Sequence, residues 1–200
     1  MNLPVGDGPL PGDVRSFLRE ADRRVRRCLR GCHAPAFVPS DYRRAYQALR
    51  ALADASPAGG GLFCEWGSGL GVVACLASLL GFDSCGIEAD GALVDEARRL
   101  ADDFGLPVEF AHGSFLPAGY DAGDPDDFAW LATGVGSGYG ELGLGPDDFD
   151  VVFAYPWPDE ERLTAALFAR RARAGAILVT YHATDDLRLK RKTDSRRARS

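Results

Sequence analysis

Leu62-Phe63-Cys64-Glu65-Trp66-Gly67-Ser68-Gly69-Leu70-Gly71, running directly into the apolar stretch Val72 to Leu80, decides how this chain folds. A short apolar segment carrying one acid, then a glycine at every second position, then a longer apolar run reads as strand, loop and helix. Without Cβ atoms the glycines let a ligand lie directly against the main chain. The helix start behind them adds N–H groups and the positive end of a dipole, which suit a carboxylate or another anionic group. Spacing then narrows the ligand. A dinucleotide fingerprint needs glycines at its first, third and sixth positions, but here the third glycine falls fifth, at Gly71, and the sixth position is Val72. A phosphate-binding P-loop ends in Gly-Lys-Ser/Thr, and the first lysine of the chain is Lys190.

Outward from this loop, strands and helices alternate. The loop helix reaches Leu80, a second strand ends at Cys85-Gly86-Ile87-Glu88, and a helix runs from Gly91 to Phe104 with Gly105 as its stop. A strand opening at Val108, another at Phe149, a helix from Asp159 to Ala174 and a strand from Ala176 to Tyr181 complete the pattern. Alternation on this scale predicts an α/β fold: a Rossmann-like, mostly parallel sheet of about five to six strands with helices on both faces. Right-handed crossovers then bring Gly67 to Gly71, Glu88, Ser114 and Tyr155 to Trp157 to one edge, where such sheets bind ligands. Ahead of this domain, at 59–186, come a flexible leader at 1–12 and an N-terminal helical segment at 13–58. In that segment Asp13 caps a helix with Val14, Phe17, Leu18, Ala21, Val25, Cys28 and Leu29 on its apolar stripe, and Gly31 ends it. Phe37-Val38-Pro39-Ser40-Asp41 opens a second helix, with Tyr42, Ala45, Tyr46, Leu49 and Leu52 on one side. Residues 187–200 read as a basic, disordered tail.

Four pieces in this order carry a resemblance: Glu65 with Gly67, Gly69 and Gly71; Cys85 to Glu88; Val108-Glu109-Phe110-Ala111-His112-Gly113-Ser114-Phe115; and Phe149-Asp150-Val151-Val152-Phe153-Ala154-Tyr155-Pro156-Trp157-Pro158. Together they resemble the class I S-adenosylmethionine-dependent methyltransferases, over residues 37–182. The resemblance implies S-adenosyl-L-methionine as cofactor and methyl transfer as the activity. It places Glu65, Gly67, Ser68, Gly69 and Gly71 against the cofactor, Glu88 on the ribose hydroxyls, and Ser114 and Phe115 beside the adenine. It also brings the loop after the fourth strand to the methyl group, so Tyr155 and Trp157 shape the acceptor pocket. Tyr155 and His182 are the candidate proton acceptors, and His112 is a candidate for the adenine side. In relatives that methylate protein lysines, a segment similar to Phe37-Val38-Pro39 lies over the methionyl end. This chain departs from the family pattern in three places. Ser114 stands where many members carry an Asp, and Ala154 has no side-chain carbonyl with which to polarise an amino group. The chain also ends soon after its fifth strand, leaving little room for a terminal antiparallel hairpin.

Composition fits one globular domain. The chain has 200 residues, 46% of them hydrophobic, and a net charge of −6. No apolar run is long enough to span a membrane, and Met1 to Gly12 lacks the pattern of a signal peptide, so the expected location is cytoplasmic. Cys64, Cys75 and Cys85 sit in apolar patterns as buried free thiols, while Cys28-x-x-x-Cys32-His33 lacks zinc spacing, so no metal is expected. Charge is uneven. Residues 13–31 carry seven arginines against three acids, and residues 187–200 carry seven basic residues against Asp194. The segment from Ser114 to Asp150 holds Asp121, Asp124, Asp126, Asp127, Glu141, Asp147, Asp148 and Asp150 with no Lys or Arg. Such a loop beside the active edge repels phosphates and favours a cationic or neutral acceptor, a protein side chain or small molecule rather than nucleic acid, which only the basic ends would hold. Asp159, Glu160 and Glu161 read as helix-start acids rather than catalysts. Two readings of other classes stay open: a cofactor-binding interaction or regulatory module without transfer activity, and an NAD(P)-dependent oxidoreductase.

Overall fold

The computed structural model describes residues 8–31, 37–55, 61–120, 135–182 and 186–193. Two helices, α1 (Gly12–Gly31) and α2 (Tyr42–Asp54), precede β1 (Leu62–Trp66), α3 (Val72–Leu79), β2 (Asp83–Glu88), α4 (Gly91–Asp103) and β3 (Val108–His112). There follow a single-turn helix α5 (Tyr139–Leu142), β4 (Val151–Ala154), a 3₁₀ turn (Pro158–Glu160), α6 (Glu161–Arg171), β5 (Ile177–His182) and β6 (Asp186–Arg191). The strands form one sheet in the order β3-β2-β1-β4-β5-β6. All neighbours are parallel except β5 and β6, which pair antiparallel. The expected mostly parallel sheet is present, with six strands.

Alternation along each strand divides the core in two. On one face Phe63, Phe110, Val151, Phe153 and Val179 meet the apolar sides of α1 to α4. On the other, Cys64, Trp66, Cys85, Val152 and Leu178 meet Tyr139 of α5 and Leu167 and Phe168 of α6. The buried stripe Val14, Phe17, Ala21 and Val25 seats α1 at helical spacing, and the Phe17 ring sets its edge against Phe104, 5.1 Å between centroids. The opposite side of α1 is laced by Glu20, whose carboxylate accepts from Arg23 and Arg24 and is held down at about 2. The buried cysteines Cys64, Cys75 and Cys85 are free thiols. Among the described residues no helix is long and apolar enough to cross a membrane. Cys32 and His33 lie outside the described residues, as do Asp121, Asp124, Asp126 and Asp127.

Three boundaries differ from the sequence expectation, each for a local reason. The first helix starts at Gly12 rather than behind an Asp13 cap, because Arg15 N–H already bonds the Pro11 carbonyl at 3.0 Å. Asp13 sits inside the first turn, bonded to Val14 N–H. The helix expected over Asp159 to Ala174 opens as the 3₁₀ turn and stops at Arg171. Pro158 brings no N–H, the Glu160 carboxylate bonds Trp157 N–H, and at the far end Ala172 is extended while Gly175 N–H bonds the Lys192 carbonyl. Residues 187–191, expected to open a disordered tail, are instead part of β6. Leu187 and Leu189 alternate with Arg188 and Lys190, which puts the leucines on the core and these two charges on the exposed face.

Candidate active site

At the C-terminal ends of β1, β2, β3, β4 and β5 lies a cavity of about 1090 Å³. Its first lobe is built on the glycine loop, and each glycine is there for a different reason. A Cβ on Gly67 would meet nothing within 4 Å, so this backbone faces open space with φ 69°. A Cβ on Gly69 would strike the Phe37 ring at 2.5 Å, and one on Gly71 the Phe110 ring at 2.3 Å. Gly67 is thus the point at which the loop's backbone lies open to the cavity. Gly69 lets Phe37 close over the loop, and Gly71, which does not line the cavity, lets α3 lie close on the sheet.

The loop is braced by its own fold. Gly67 and Ser68 N–H both donate to the Ile87 carbonyl, at 2.9 and 3.0 Å, and Gly69 N–H donates to Glu88 Oε2 at 2.8 Å. Glu65, 5% exposed, accepts from Ala74 N–H at 2.8 Å and so serves the start of α3. Burial pushes its carboxyl well above the usual range, against the Ala74 bond and with a contribution from the Glu88 charge. The row of free donors expected behind the glycines is therefore largely taken up within the protein.

Glu88 ends β2 with one backbone bond on each oxygen: Gly69 N–H on Oε2 and Asp90 N–H, 2.9 Å away, on Oε1. Each carboxylate oxygen keeps a further lone pair, which is what two adjacent hydroxyls need. Around it, Ile87, Leu93 and Phe115 give apolar walls; Phe115 is fixed by stacking on Trp66, 5.5 Å apart with planes 6° from parallel. Ser114 lines this lobe, but its hydroxyl accepts from Leu116 N–H at 3.1 Å. His112 does not line the cavity; its Nε2 meets the Ala89 carbonyl at 3.0 Å. An acid set for paired hydroxyls between apolar walls, with bare backbone at Gly67, fits an adenosine with an amino-acid tail.

The second lobe opens past β4. Tyr155 sets its ring edge-on against Tyr181, 5.0 Å between centroids, and Trp157 is 43% exposed on the lobe's wall. That exposure places Trp157 at the surface of the cavity and not under α6. His182 lines the same lobe, with Nδ1 at 2.7 Å from Glu161 Oε1 and Nε2 at 2.9 Å from Thr180 Oγ1. Both nitrogens of this candidate base are therefore engaged. Glu160, taken from sequence for a helix-start acid, is 6% exposed and lines the lobe. It does serve the helix start, since Oε2 accepts from Trp157 N–H at 2.8 Å. Burial nevertheless pushes its carboxyl up to about 7, against that bond. The signal was present as an acid three residues after the turn's first position, but that signature belongs to ordinary capping.

Glu65 and Glu88 line the cavity as the sequence implied, but the described acids of the 114–150 segment do not. Glu141 bonds Arg98 and His112 N–H, Asp148 bonds Gly145 N–H, and Asp150 bonds Leu62 N–H and Arg173. These brace loops. Among the described residues, Glu65, Glu88, Asp90, Glu160 and Glu161 line the cavity, with Arg188 and His182 as the basic side chains.

This sheet order, with an antiparallel strand at its edge, the glycine loop after β1 and an acid ending β2, is a Rossmann-like, mostly parallel fold of the kind the sequence resemblance implies. No family model matches the sequence, and no curated protein matches it. Solved structures that match include an RNA methyltransferase from Salinibacter ruber in complex with S-adenosyl-L-homocysteine, 25% identical over 72% of this chain and 78% of that one, TM-score 0.48. An S-adenosylmethionine-dependent methyltransferase from Thiobacillus denitrificans, in complex with the same product, is 21% identical over 74% of this chain and 52% of its own, TM-score 0.47. A methyltransferase from Geobacter sulfurreducens is 19% identical over 86% and 72%, TM-score 0.48. The chain thus spans about half the length of the Thiobacillus protein.

Proposed function

We propose that this protein transfers a methyl group from S-adenosyl-L-methionine to a protein side chain or small molecule. The observation that carries the reading is one continuous cavity lined both by the glycine loop with Glu88, a set that fits the adenosine, and by the residues after β4 with Trp157, which leaves room for a second reactant. Its volume of about 1090 Å³ is at the upper end for pockets that hold one drug-sized molecule, and two reactants must share it here. When bound, the cofactor supplies a sulfonium methyl that needs no further activation. The chain's own task is positioning and exclusion of water. Glu88 takes the ribose hydroxyls, Phe37 and Phe115 cover the lobe, and Tyr155 and Trp157 hold the acceptor in line. Among the described lining residues, the acids Glu88, Asp90, Glu160 and Glu161 outnumber Arg188 and His182, which favours a cationic or neutral acceptor over a phosphate backbone.

Calorimetric titration with S-adenosylhomocysteine and with nicotinamide dinucleotides, paired with labelled-methyl incorporation from S-adenosylmethionine, tests this. Binding of S-adenosylhomocysteine alone, with incorporation into a protein or small-molecule fraction, is the expected result. Nicotinamide binding without S-adenosylhomocysteine binding would overturn it, and incorporation into RNA would overturn the acceptor class.

A further inference from the structure

Past β4 the cavity is lined by one buried acid, Glu160, for which the described residues offer no counter-charge. Glu161 is matched by His182 at 2.7 Å and Arg188 at 3.9 Å. Glu160, its neighbour, has a single hydrogen bond among the described residues, to Trp157 N–H, and no ion pair there. One oxygen suffices for that bond, and the exposed Asp159 beside it already serves the helix dipole. A carboxyl buried with a spare oxygen and no cation is costly unless something else completes it. Here it opens on a cavity. The exposed face of Trp157 lies on the same wall, and aromatic faces attract cations. Ala154, at the end of β4, offers no side-chain carbonyl to an amino group; Glu160, at the end of the 3₁₀ turn that follows, offers a carboxyl.

We propose that Glu160 is a catalytic residue that binds an ammonium-bearing acceptor and takes its proton before transfer. The inference rests on the methyl-transfer reading above. The carboxylate accepts a proton from R–NH₃⁺, leaving a neutral amine and a carboxylic acid. The freed lone pair forms the N–C bond to the methyl as the S–C bond breaks, its electrons going to sulfur as a neutral thioether. The product leaves as R–NH₂CH₃⁺, and Glu160 later releases its proton to solvent. A carboxyl held near neutrality suits that exchange.

Sinefungin, an S-adenosylhomocysteine analogue with a primary ammonium where the methyl is carried, probes this without knowing the acceptor. Titrations of sinefungin and of S-adenosylhomocysteine are compared for the wild type, Glu160→Gln and Asp159→Asn. The wild type should prefer sinefungin, and Glu160→Gln should lower that preference by roughly tenfold or more, the scale of a charge-assisted hydrogen bond, with S-adenosylhomocysteine affinity unchanged. Asp159→Asn should leave the preference intact. No wild-type preference for sinefungin, or an equal preference in Glu160→Gln, overturns the proposal while leaving the cofactor site standing. Failure of the wild type to bind S-adenosylhomocysteine overturns the cofactor reading itself, and this proposal with it.

Discussion

Among the described residues four glutamates line the cavity, and the company each keeps sets its work; Glu161 is matched by His182 and Arg188. Glu65 is spent on α3 through Ala74 N–H, so its contribution is to loop position. Glu88 holds Gly69 and Asp90 with one lone pair per oxygen and keeps the others for the ligand. Replacing it with alanine should weaken S-adenosylhomocysteine binding by roughly 1.5–3 kcal/mol, the range for a hydrogen bond to a charged group, as read by calorimetry. Unchanged affinity in a cooperatively melting variant would mean that the ribose is held elsewhere. Glu160 carries a stability consequence of opposite sign to most carboxylates. Its folded value, about 7, lies above the ordinary 4.5, so its contribution is complete below pH 4.5 and is lost as pH rises towards and through 7. Glu160→Gln keeps the bond to Trp157 N–H without the ionisation. It should match the wild type in acid and exceed its stability by up to about 3 kcal/mol at pH 8, measured by denaturant unfolding across that range. A constant difference across pH would show that the carboxyl is solvated.

Among the elements, β6 is the one that most tests the packing argument. Its two leucines reach the core from a strand on which Arg188, Lys190 and Arg191 are exposed. Leu189→Asp should therefore cost roughly 2 kcal/mol or more by leaving a charge at the core's edge, whereas Lys190→Asp should stay within about 0.5 kcal/mol. Equal effects in chemical denaturation would detach β6 from the fold. The same strand shows what a sequence hides. The glycine spacing, the apolar strands ending in Glu88 and the 3-4 stripe of α1 were legible because one local pattern determines each. In β6 the alternation of Leu187 and Leu189 is only two positions long and sits inside a run of basic residues that composition assigns to a tail. The four-residue α5 has no period to detect. Phe37 over Gly69 joins residues far apart in sequence, and Glu160 differs from an ordinary capping acid only through the cavity it faces.

For the molecule as a whole, the proposed function assigns cofactor binding and acceptor handling to different strands around one cavity and so makes them separable. The glycine loop, Glu88 and Phe115 lie on β1, β2 and the turn after β3, while Trp157, Glu160 and His182 lie on the other side of β1, after β4 and at the end of β5. Saturation with S-adenosylhomocysteine at about 100 times its Kd should stabilise the fold by about 2.7 kcal/mol, a rise in Tm of roughly 5–10 °C for a chain of this size. Trp157→Ala removes a side chain that is 43% exposed, so the unliganded Tm should hardly move. The ligand-induced rise should persist as well, because the first lobe is untouched. Transfer to the true acceptor should nevertheless fall by well over tenfold, above about 1.4 kcal/mol of lost transition-state stabilisation. Melting with and without ligand, set beside initial rates on this one variant, separates the outcomes. Loss of the thermal rise would place Trp157 against the cofactor, a lower basal Tm would make it a packing residue, and undiminished transfer would remove it from the acceptor wall.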